Sequence, residues 1–408
     1  MAVIKKGNLR GFYKPDYDGG SIVNLLASVI LARGGFSPHK ALAGCCVRHL
    51  DQAERIVYLL VDGLGKHQLD AYLNRGCGRS FFSRHPHEVV STVFPATTAA
   101  AVTTCATGSS PAEHGVLSWW LNLHDLGVVG NVLLEKTRTG APMDAPGFDL
   151  RDYLKLPSYL DGTSGGRALL SYGHIPESAL SNAGTEWNSK ECYRTLEGLK
   201  KSMMNYAHSS GERLAYAYWP ELDACCHEYG CFNSRTLAHF DAIDSMLACL
   251  ADELRGTGTV LLVTSDHGLV DCPDGCFIDL SKVDGLYDCL ATLPSGDARQ
   301  VSFFVRPSRR RDFLNCCSML DEAGVLVRGQ ELIRMGIFGP GRSHPSLSGR
   351  VGDYVLIARN GFAFEAPPSG FQASALAGYH GGMSRDEMLV PVYTIDTSDR
   401  FPPDRFAL

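Results

Sequence analysis

Two continuous apolar runs stand out in the hydrophobic pattern of the chain, and both end in polar residues followed by glycine. One runs from Arg55 to Val61 and ends in Asp62-Gly63, and the other runs from Thr259 to Thr264 and ends in Ser265-Asp266-His267-Gly268. Unbroken runs without polar alternation are typical of strands buried on both faces of a parallel sheet. Because ligands of open α/β sheets bind outside the carboxyl ends of the strands, the pattern predicts chemistry at these two ends.

The patterns between these runs predict an α/β fold with a mainly parallel sheet flanked by helices. A strand pattern over Glu212 to Trp219 is followed by a long amphipathic stretch, Ser234 to Leu254, that leads into the second run. Strand, helix and strand in this order favour a right-handed crossover connection. An N-terminal helix precedes the first run. Two further strands are predicted, at Arg167 to Tyr172 and at Leu389 to Ile395.

The pattern changes to short strands and turns between about residues 270 and 371. The clearest strands there are Val301 to Val305 and Tyr354 to Ala358. We interpret this stretch as a smaller lobe inserted into a single domain that spans residues 1–408. The chain between residues 118 and 165 alternates between apolar and turn-rich pieces and allows no assignment.

A threonine pair lies where a strand pattern gives way to a helix pattern. The β-branched run Val89 to Val93 is stopped by Pro95, and small helix formers follow Thr97 and Thr98 up to about Ala106. A hydroxyl at a helix N-terminus lies beside free backbone N–H groups, which favour an anion, so a phosphoryl group could be held there while a threonine oxygen attacks it. The competing interpretation is that one threonine only caps the helix, which is the commoner use of such residues.

Further metal-binding residue types occur at corresponding points of the pattern. Asp223 and His227 follow the strand that ends at Trp219, and their spacing of four would put both on one face of a helical turn. A structural aspartate and a packed histidine would have the same spacing, just as Asp62 before glycine would suit a plain turn. Together the chain offers carboxylates, imidazoles and one hydroxyl, a set that suits zinc and also accepts manganese or iron. The candidates are Asp62, Thr98, Asp223, His227, Asp266, His267 and His380.

Charge and composition exclude several classes of protein. The chain has 408 residues, and 45% of them are hydrophobic, which predicts a globular protein with a large core. Its formal net charge of -6 predicts no surface that binds duplex nucleic acid or an anionic membrane. The basic run Arg309-Arg310-Arg311 is interpreted as a solvated helix start. We find no pattern of a signal peptide or a membrane span.

The cysteines favour a reducing compartment. The 14 cysteines include the adjacent pairs Cys45-Cys46, Cys225-Cys226 and Cys316-Cys317, whose geometry is poor for a disulfide framework, and we therefore expect a cytoplasmic protein. Cys272 and Cys276 lack a second pair at zinc-site spacing and are interpreted as free thiols.

These motifs, in this order, resemble the alkaline phosphatase superfamily, and within it the nucleotide pyrophosphatase/phosphodiesterase branch with its phosphonoacetate hydrolase relatives. The resemblance runs from about Ile56 to Val392. The matching motifs are Asp62-Gly63, Phe94-Pro95-Ala96-Thr97-Thr98, Ala106-Thr107-Gly108, His114-Gly115, Asp223 with His227, Asp266-His267-Gly268 and His380-Gly381-Gly382.

The resemblance implies a site with two zinc ions per chain and a threonine nucleophile. One metal would be held by Asp223, His227 and His380. The other would be held by Asp62, Asp266, His267 and the oxygen of Thr98, which falls at the family's nucleophile position when the motifs are aligned without a gap. The implied activity is hydrolysis of a small-molecule phosphodiester or nucleotide pyrophosphate through a phosphothreonine intermediate.

Two departures and three alternative classes of protein accompany this resemblance. Where the family has a phosphate-binding asparagine, this chain has Ser118, Trp119 and Trp120, with Asn122 slightly beyond, which leaves phosphomonoesters as alternative substrates. Phosphonates are a further alternative, because the related phosphonoacetate hydrolases present the same metal ligands. No arginine lies near Thr98 in sequence, and Arg342 or Arg350 is a candidate to supply positive charge. A sulfatase is disfavoured because no Cys/Ser-X-Pro-X-Arg motif surrounds Thr98, as is a phosphomutase. A non-catalytic binding protein would usually have lost a ligand, and here none is missing.

Overall fold

The computed structural model of the chain describes residues 9–44, 47, 50–76, 81–144 and 146–397. Cys45 and Cys46, together with the residues that precede position 9, lie outside this described part, so the expectations for them are not addressed. The strands are β1 (Arg55–Val61), β2 (His87–Ser91), β3 (Leu121–Leu123), β4 (Val128–Asn131), β5 (Lys136–Thr137), β6 (Arg167–Tyr172), β7 (Ser189–Tyr193), β8 (Leu214–Trp219), β9 (Thr259–Thr264), β10 (Val270–Asp271), β11 (Phe277–Asp279), β12 (Ser295–Asp297), β13 (Gln300–Phe303), β14 (Gly324–Arg328), β15 (Tyr354–Ala358), β16 (Ala363–Glu365), β17 (Gly378–Tyr379) and β18 (Leu389–Asp396).

The helices lie mainly between these strands. They are α1 (Ile22–Ala32), α2 (Lys66–Asn74), α3 (Phe81–Arg84), α4 (Thr98–Thr107), α5 (Pro111–His114), α6 (Leu150–Leu154), α7 (Leu196–Ala207), α8 (Glu221–Tyr229), α9 (Ser234–Glu253), α10 (Arg310–Cys317), α11 (Gly329–Arg334), α12 (Leu347–Val351) and α13 (Arg385–Met388). Local chemistry sets several of the ends. The Asn233 side chain accepts from Arg235 N at 3.0 Å where α9 begins, and α4 ends at Gly108, whose φ of 75° is one that glycine adopts readily.

A seven-stranded sheet in the order β2-β18-β9-β1-β8-β6-β7 forms the centre of the molecule. Its neighbouring strands pair in parallel, except that β18 runs antiparallel to both β2 and β9. The α/β fold with a mainly parallel sheet is therefore confirmed. The predicted strands at Arg167, Glu212, Thr259 and Leu389 are all in this sheet.

Alternate residues of β1 face opposite layers of helices. Val57, Leu59 and Val61 pack into a cluster with side chains of α2, α7 and α9, whereas Ile56, Tyr58 and Leu60 pack with side chains of α1 and α4. Because side chains alternate along a strand, both faces of β1 are buried. This double burial explains why the sequence of β1 is one unbroken apolar run.

Short strands outside the central sheet form separate small sheets. A four-stranded antiparallel sheet, β12-β13-β15-β14, lies within the stretch expected to form a smaller lobe, and it has its own core around Phe303, Phe313 and Leu356. The domain boundaries near 270 and 371 themselves stay a prediction. A three-stranded sheet, β3-β4-β5, occupies part of the stretch that allowed no assignment. The basic run that begins at Arg309 forms the exposed start of α10, as predicted.

Within the described ranges, no helix combines the length and the apolarity that crossing a membrane requires.

A buried ion pair links the four-stranded sheet to the end of the chain. The Arg299 guanidinium donates to both carboxylate oxygens of Glu387, with Nε at 2.7 Å and Nη2 at 3.0 Å, and both side chains are fully buried. Glu387 also accepts from Gly382 N at 2.7 Å and from the Ser384 hydroxyl. The pair therefore holds the loop that follows His380 against the turn between β12 and β13.

We predict that Glu387→Gln destabilises the protein by about 3–5 kcal/mol, because Arg299 then stays buried without its counter-charge. The matched control is Asp18→Asn, which removes the exposed ion pair with Lys40 and should change stability little. Chemical denaturation of both variants and the parent protein measures the difference. Equal midpoints for the two variants would contradict the prediction.

Candidate active site

The register of the central sheet brings the predicted site residues to one edge. Val61 of β1 pairs with Trp219 of β8, and Leu60 pairs with Thr264 of β9, so the three strands end side by side. The segments that follow these strands carry the aspartates and histidines singled out in the sequence. Strands that are far apart in the chain thereby place their polar ends within contact distance.

His267 lies at the centre of one group of side chains. Its Nε2 is 3.1 Å from Thr98 Oγ1, 3.5 Å from Asp62 Oδ1 and 3.3 Å from Asp266 Oδ2. The His267 and Asp266 side chains are fully buried, and Thr98 is 8% exposed. The Tyr218 hydroxyl donates to the second oxygen of Asp62, and Gly63 N donates to the second oxygen of Asp266.

A second group surrounds Asp223. His227 Nε2 is 3.3 Å from Asp223 Oδ2, as the spacing of four on α8 predicted. His380 Nε2 is 3.8 Å from Asp223 Oδ1. The His267 and His380 rings are stacked with centroids 3.8 Å apart, so the two groups are contiguous. The structure thus brings all seven candidate residues together.

The three imidazoles share one orientation. Each places Nδ1 near a backbone carbonyl oxygen: His227 near Gly378 at 2.8 Å, His267 near Gly268 at 3.2 Å and His380 near Ala96 at 3.2 Å. A carbonyl oxygen can only accept, so in the neutral ring the proton resides on Nδ1 and the lone pair of Nε2 faces the cluster. Metal-binding histidines typically have this second hydrogen bond.

Three buried carboxylate oxygens in the cluster have no hydrogen-bond partner among the described residues. They are Asp62 Oδ1, Asp223 Oδ1 and Asp266 Oδ2. Ligand atoms of Asp62, Asp266 and His267 lie within 4.8 Å of one another, and so do those of Asp223, His267 and His380. Orphaned oxygens that converge with imidazole nitrogens fit divalent metal ions. His227 lies outside both triplets and contacts the other oxygen of Asp223.

The electrostatics of the cluster also favour a cation. Burial and the neighbouring Asp266 and Asp223 carboxylates raise the pKa of Asp62 well above its usual range. Burial and the adjacent His267 ring lower the pKa of His380 well below its usual range. A neutral imidazole is the form that binds a metal, and a bound cation would offset the repulsion among the carboxylates.

Comparison with known proteins identifies the family. The sequence model of the family "Type I phosphodiesterase / nucleotide pyrophosphatase" matches residues 56–383, which is more than half of the chain. The chain belongs to the type I phosphodiesterase/nucleotide pyrophosphatase family. It is an enzyme of the hydrolase type found in this family. No curated protein matches the chain in sequence.

Solved structures of the nucleotide pyrophosphatase/phosphodiesterase type share the fold. Phosphonoacetate hydrolase from Sinorhizobium meliloti 1021 in complex with phosphonoacetate is similar with a TM-score of 0.63 and 15% identity, covering 86% of this chain and 92% of that one. An inactive threonine-to-alanine variant of murine ectonucleotide pyrophosphatase/phosphodiesterase 5, in complex with AMP, is similar with a TM-score of 0.61 and 15% identity, covering 84% of this chain and 87% of that one.

The phosphodiesterase-family chain places its two threonines differently. Thr97 occupies the N-cap position of α4, yet its side chain makes no capping hydrogen bond, and its hydroxyl instead donates to Asp297 Oδ1 at 3.1 Å. Thr98 is the first residue of the helix and turns its hydroxyl towards His267. The capping interpretation therefore does not account for either hydroxyl.

Two cavities meet at Thr98. The first, which we name the α4 cavity, measures about 620 Å³ and lies between α4 and the sheet, where Val102, Leu169 and Tyr216 line it. The second, the tryptophan cavity, measures about 360 Å³ and is lined by Trp119 and Trp120. Its remaining lining includes Arg138, Asp223, His227, Asp297, Tyr379 and His380.

Sequence reasoning missed three residues of this family member's site. Tyr218 donates to Asp62, and Asp297 accepts from Thr97 and from Trp119 N. Burial raises the pKa of Asp297 to about 7, although those hydrogen bonds lower it. Arg138 lies 5.0 Å from the Trp120 ring centroid, over its face. No local pattern marks these residues, because Tyr218 lies inside the continuous apolar strand β8, whereas Asp297 and Arg138 lie in or beside strands of two or three residues.

The expected source of positive charge was wrong. Arg350 donates to the backbone oxygen of Gly115 at 2.9 Å, and Arg342 is exposed; neither lines the cavities at Thr98. Among the described residues, Arg138 is the arginine that lines the tryptophan cavity, which Thr98 also lines.

Proposed function

We propose that this protein is a metal-dependent phosphodiesterase or nucleotide pyrophosphatase in which Thr98 is the nucleophile. The observation that carries the proposal is the position of the Thr98 hydroxyl. It lies at the start of α4, 3.1 Å from His267 Nε2, beside the converging carboxylates and at the junction of both cavities. The inactive form of the murine relative carries a threonine-to-alanine substitution, which supports a threonine-dependent reaction in this fold.

The proposed metal ligands are those that the motifs predicted. Asp62, Asp266, His267 and Thr98 would hold one ion, and Asp223, His227 and His380 would hold the other, with zinc as the expected metal. Two such ions, when bound, would stabilise the attacking and leaving oxygens of an in-line displacement. The backbone carbonyls behind the three histidines fix the ring orientations, and Tyr218 fixes the Asp62 carboxylate.

The protein's own groups account for substrate position. The N-terminus of α4 presents backbone N–H groups and a positive dipole end beside Thr98, which favours a phosphoryl oxygen. Cavities on both sides of Thr98 leave room for an organic group on each side of the phosphorus, as a diester requires. In its ionised form the carboxyl group of Asp297, which lines the tryptophan cavity, disfavours the additional charge of a monoester.

A phosphonate that carries a carboxylate is the second candidate substrate. The similar phosphonoacetate hydrolase contains phosphonoacetate. In the present chain Arg138, which lines the tryptophan cavity, is the group that would bind such a carboxylate.

We further propose that the enzyme works in the reducing cytoplasm. The described cysteines, including the adjacent Cys225-Cys226 and Cys316-Cys317 pairs, are all free thiols. Imaging of the tagged full-length chain checks this location.

We predict that Thr98→Ala reduces turnover at least about a thousandfold, or ~4 kcal/mol of transition-state stabilisation, while zinc content and fold persist. Thr97→Ala is the matched control and should be far milder, because the Thr97 hydroxyl faces Asp297 instead of the cluster. Steady-state kinetics and elemental analysis of both variants measure this. A larger loss in Thr97→Ala would move the nucleophile to Thr97.

We predict close to two zinc ions per chain in the active protein. Asp266→Ala and His380→Ala each remove a proposed ligand of a different ion and should lower the bound zinc and abolish activity. His208→Ala, an exposed histidine at the end of α7, is the control and should change neither. Elemental analysis of active protein that has not been treated with a chelator measures the number of zinc ions per chain. Active protein without a transition metal would contradict the proposal.

The substrate class is tested by kcat/KM at identical zinc loading. The comparison uses bis-p-nitrophenyl phosphate, p-nitrophenyl phosphate, a dinucleotide pyrophosphate and phosphonoacetate. We expect a diester or the pyrophosphate to be preferred. A monoester preferred by more than about tenfold, or ~1.4 kcal/mol, would overturn the assignment, and a preference for phosphonoacetate would favour the second candidate.

A further inference from the structure

The α4 cavity runs along one face of a helix that begins at Thr98. Thr98, Val102 and Ala106 line it at intervals of four residues, which places them on one helix face. Eight residues of α-helix span about 12 Å. The cavity therefore reaches from the hydroxyl of Thr98 to a point two helical turns away.

The walls of this cavity are largely apolar. Leu156, Leu169, Leu180 and Trp187 line it together with the α4 residues. The Thr103 and Thr107 hydroxyls are bonded within the helix, to Ala99 O and Thr103 O at 2.7 Å each. These threonines have no unpaired donor left for a ligand.

Two buried hydroxyls on the sheet side of the cavity have no partner. Tyr216 Oη and Ser171 Oγ make no hydrogen bond among the described residues, although Tyr216 is only 4% and Ser171 only 1% exposed. Both line the cavity. Buried hydroxyls are normally paired, because leaving one unpaired costs about 1–3 kcal/mol. These two hydroxyls are therefore available to form hydrogen bonds with a polar atom of a ligand in the cavity.

Tyr216 and Ser171 place this polar spot on the sheet-side wall of the cavity, on the neighbouring strands β8 and β6. Tyr216 lies two residues before Tyr218, whose hydroxyl reaches Asp62. The Tyr216 ring also stacks on Tyr58, with centroids 5.6 Å apart. The Tyr58 hydroxyl bonds Cys105 Sγ, which lies two turns along α4 from Thr98. Charged lining residues such as His174, Glu177 and Arg194 are exposed instead.

The two cavities differ in which candidate ligands they contact. Asp223, His227 and His380 line the tryptophan cavity, whereas of the seven candidates only Thr98 lines the α4 cavity. In an in-line displacement the leaving oxygen departs opposite the nucleophile, and the metal ion that Asp223, His227 and His380 would hold is the one that could stabilise it. The leaving group therefore occupies the tryptophan cavity.

We propose that the α4 cavity binds the substituent that stays on phosphorus, and that this substituent is uncharged, largely apolar and about 12 Å long, with a hydrogen-bonding atom that reaches the Tyr216 and Ser171 hydroxyls. This inference rests on the proposed phosphodiesterase function and names its substrate class. The Oγ1–phosphorus bond forms as the bond to the leaving oxygen breaks, and the Thr98 proton passes to solvent. Water then cleaves the phosphothreonine and releases the monoester of the apolar alcohol.

The test keeps the leaving group constant and varies the retained group. Methyl, octyl and 8-hydroxyoctyl p-nitrophenyl phosphate are compared by kcat/KM with the zinc-loaded full chain. We expect the octyl ester to exceed the methyl ester by at least about thirtyfold, since several methylenes become buried. Tyr216→Phe should lower kcat/KM for the hydroxyoctyl ester by about fivefold or more relative to the octyl ester.

Matched variants separate the cavity from general effects. Val102→Phe narrows the cavity one turn from Thr98 and should reduce the octyl-to-methyl ratio at least tenfold. Val89→Phe, at an exposed position of the edge strand β2, should leave that ratio unchanged. Equal kcat/KM for the methyl and octyl esters overturns the inference and leaves the phosphodiesterase proposal standing.

A second readout does not depend on turnover. Calorimetry compares the binding of octyl phosphate and methyl phosphate to the zinc-loaded Thr98→Ala chain. Tighter binding of octyl phosphate than of methyl phosphate, together with a loss of this difference in the Val102→Phe variant, supports the cavity assignment. This support holds even if the protein hydrolyses no diester, because the absence of hydrolysis would contradict only the proposed function. Equal binding of the two phosphates overturns the assignment.

Discussion

In-register parallel pairing of β1 with β8 on one side and β9 on the other is the constraint on which the candidate site depends. Because the three strands end level with one another, the residues that follow them meet above one edge of the sheet. A shift of one residue in either pairing would move the polar strand ends by about 3.3 Å relative to one another. The apolar packing on both faces of β1 therefore fixes the distances among Asp62, Asp223 and Asp266.

Those distances make the metal-free cluster unfavourable in itself. Buried carboxylates face one another with orphaned oxygens, and the His267 and His380 rings are stacked without a hydrogen bond between them. Groups of this kind persist only where the surrounding fold holds them. Here the backbone carbonyls of Ala96, Gly268 and Gly378 hold the rings from behind, so the ligand atoms are oriented before any cation binds.

The predictable part of this architecture was the part encoded in local, unbroken patterns. β1 and β9 are buried on both faces and so leave long apolar runs, and the site aspartates follow them directly. Asp297 left no such signal, because it meets Thr97 across 200 residues of chain. Arg138 follows strands of two to four residues, which are too short to show a period. Arg350 was mistaken for a site residue because its buried bond to Gly115 cannot be seen in a sequence.

The Arg299–Glu387 pair also limits how the molecule can move. Arg299 lies beside β13 of the four-stranded sheet, whereas Glu387 belongs to α13, next to the central sheet and the His380 loop. Swinging that small sheet away as a lid would break both hydrogen bonds of this fully buried pair. Substrates must therefore enter through the existing mouths of the two cavities, aided by side-chain motions at their rims rather than by a hinged closure.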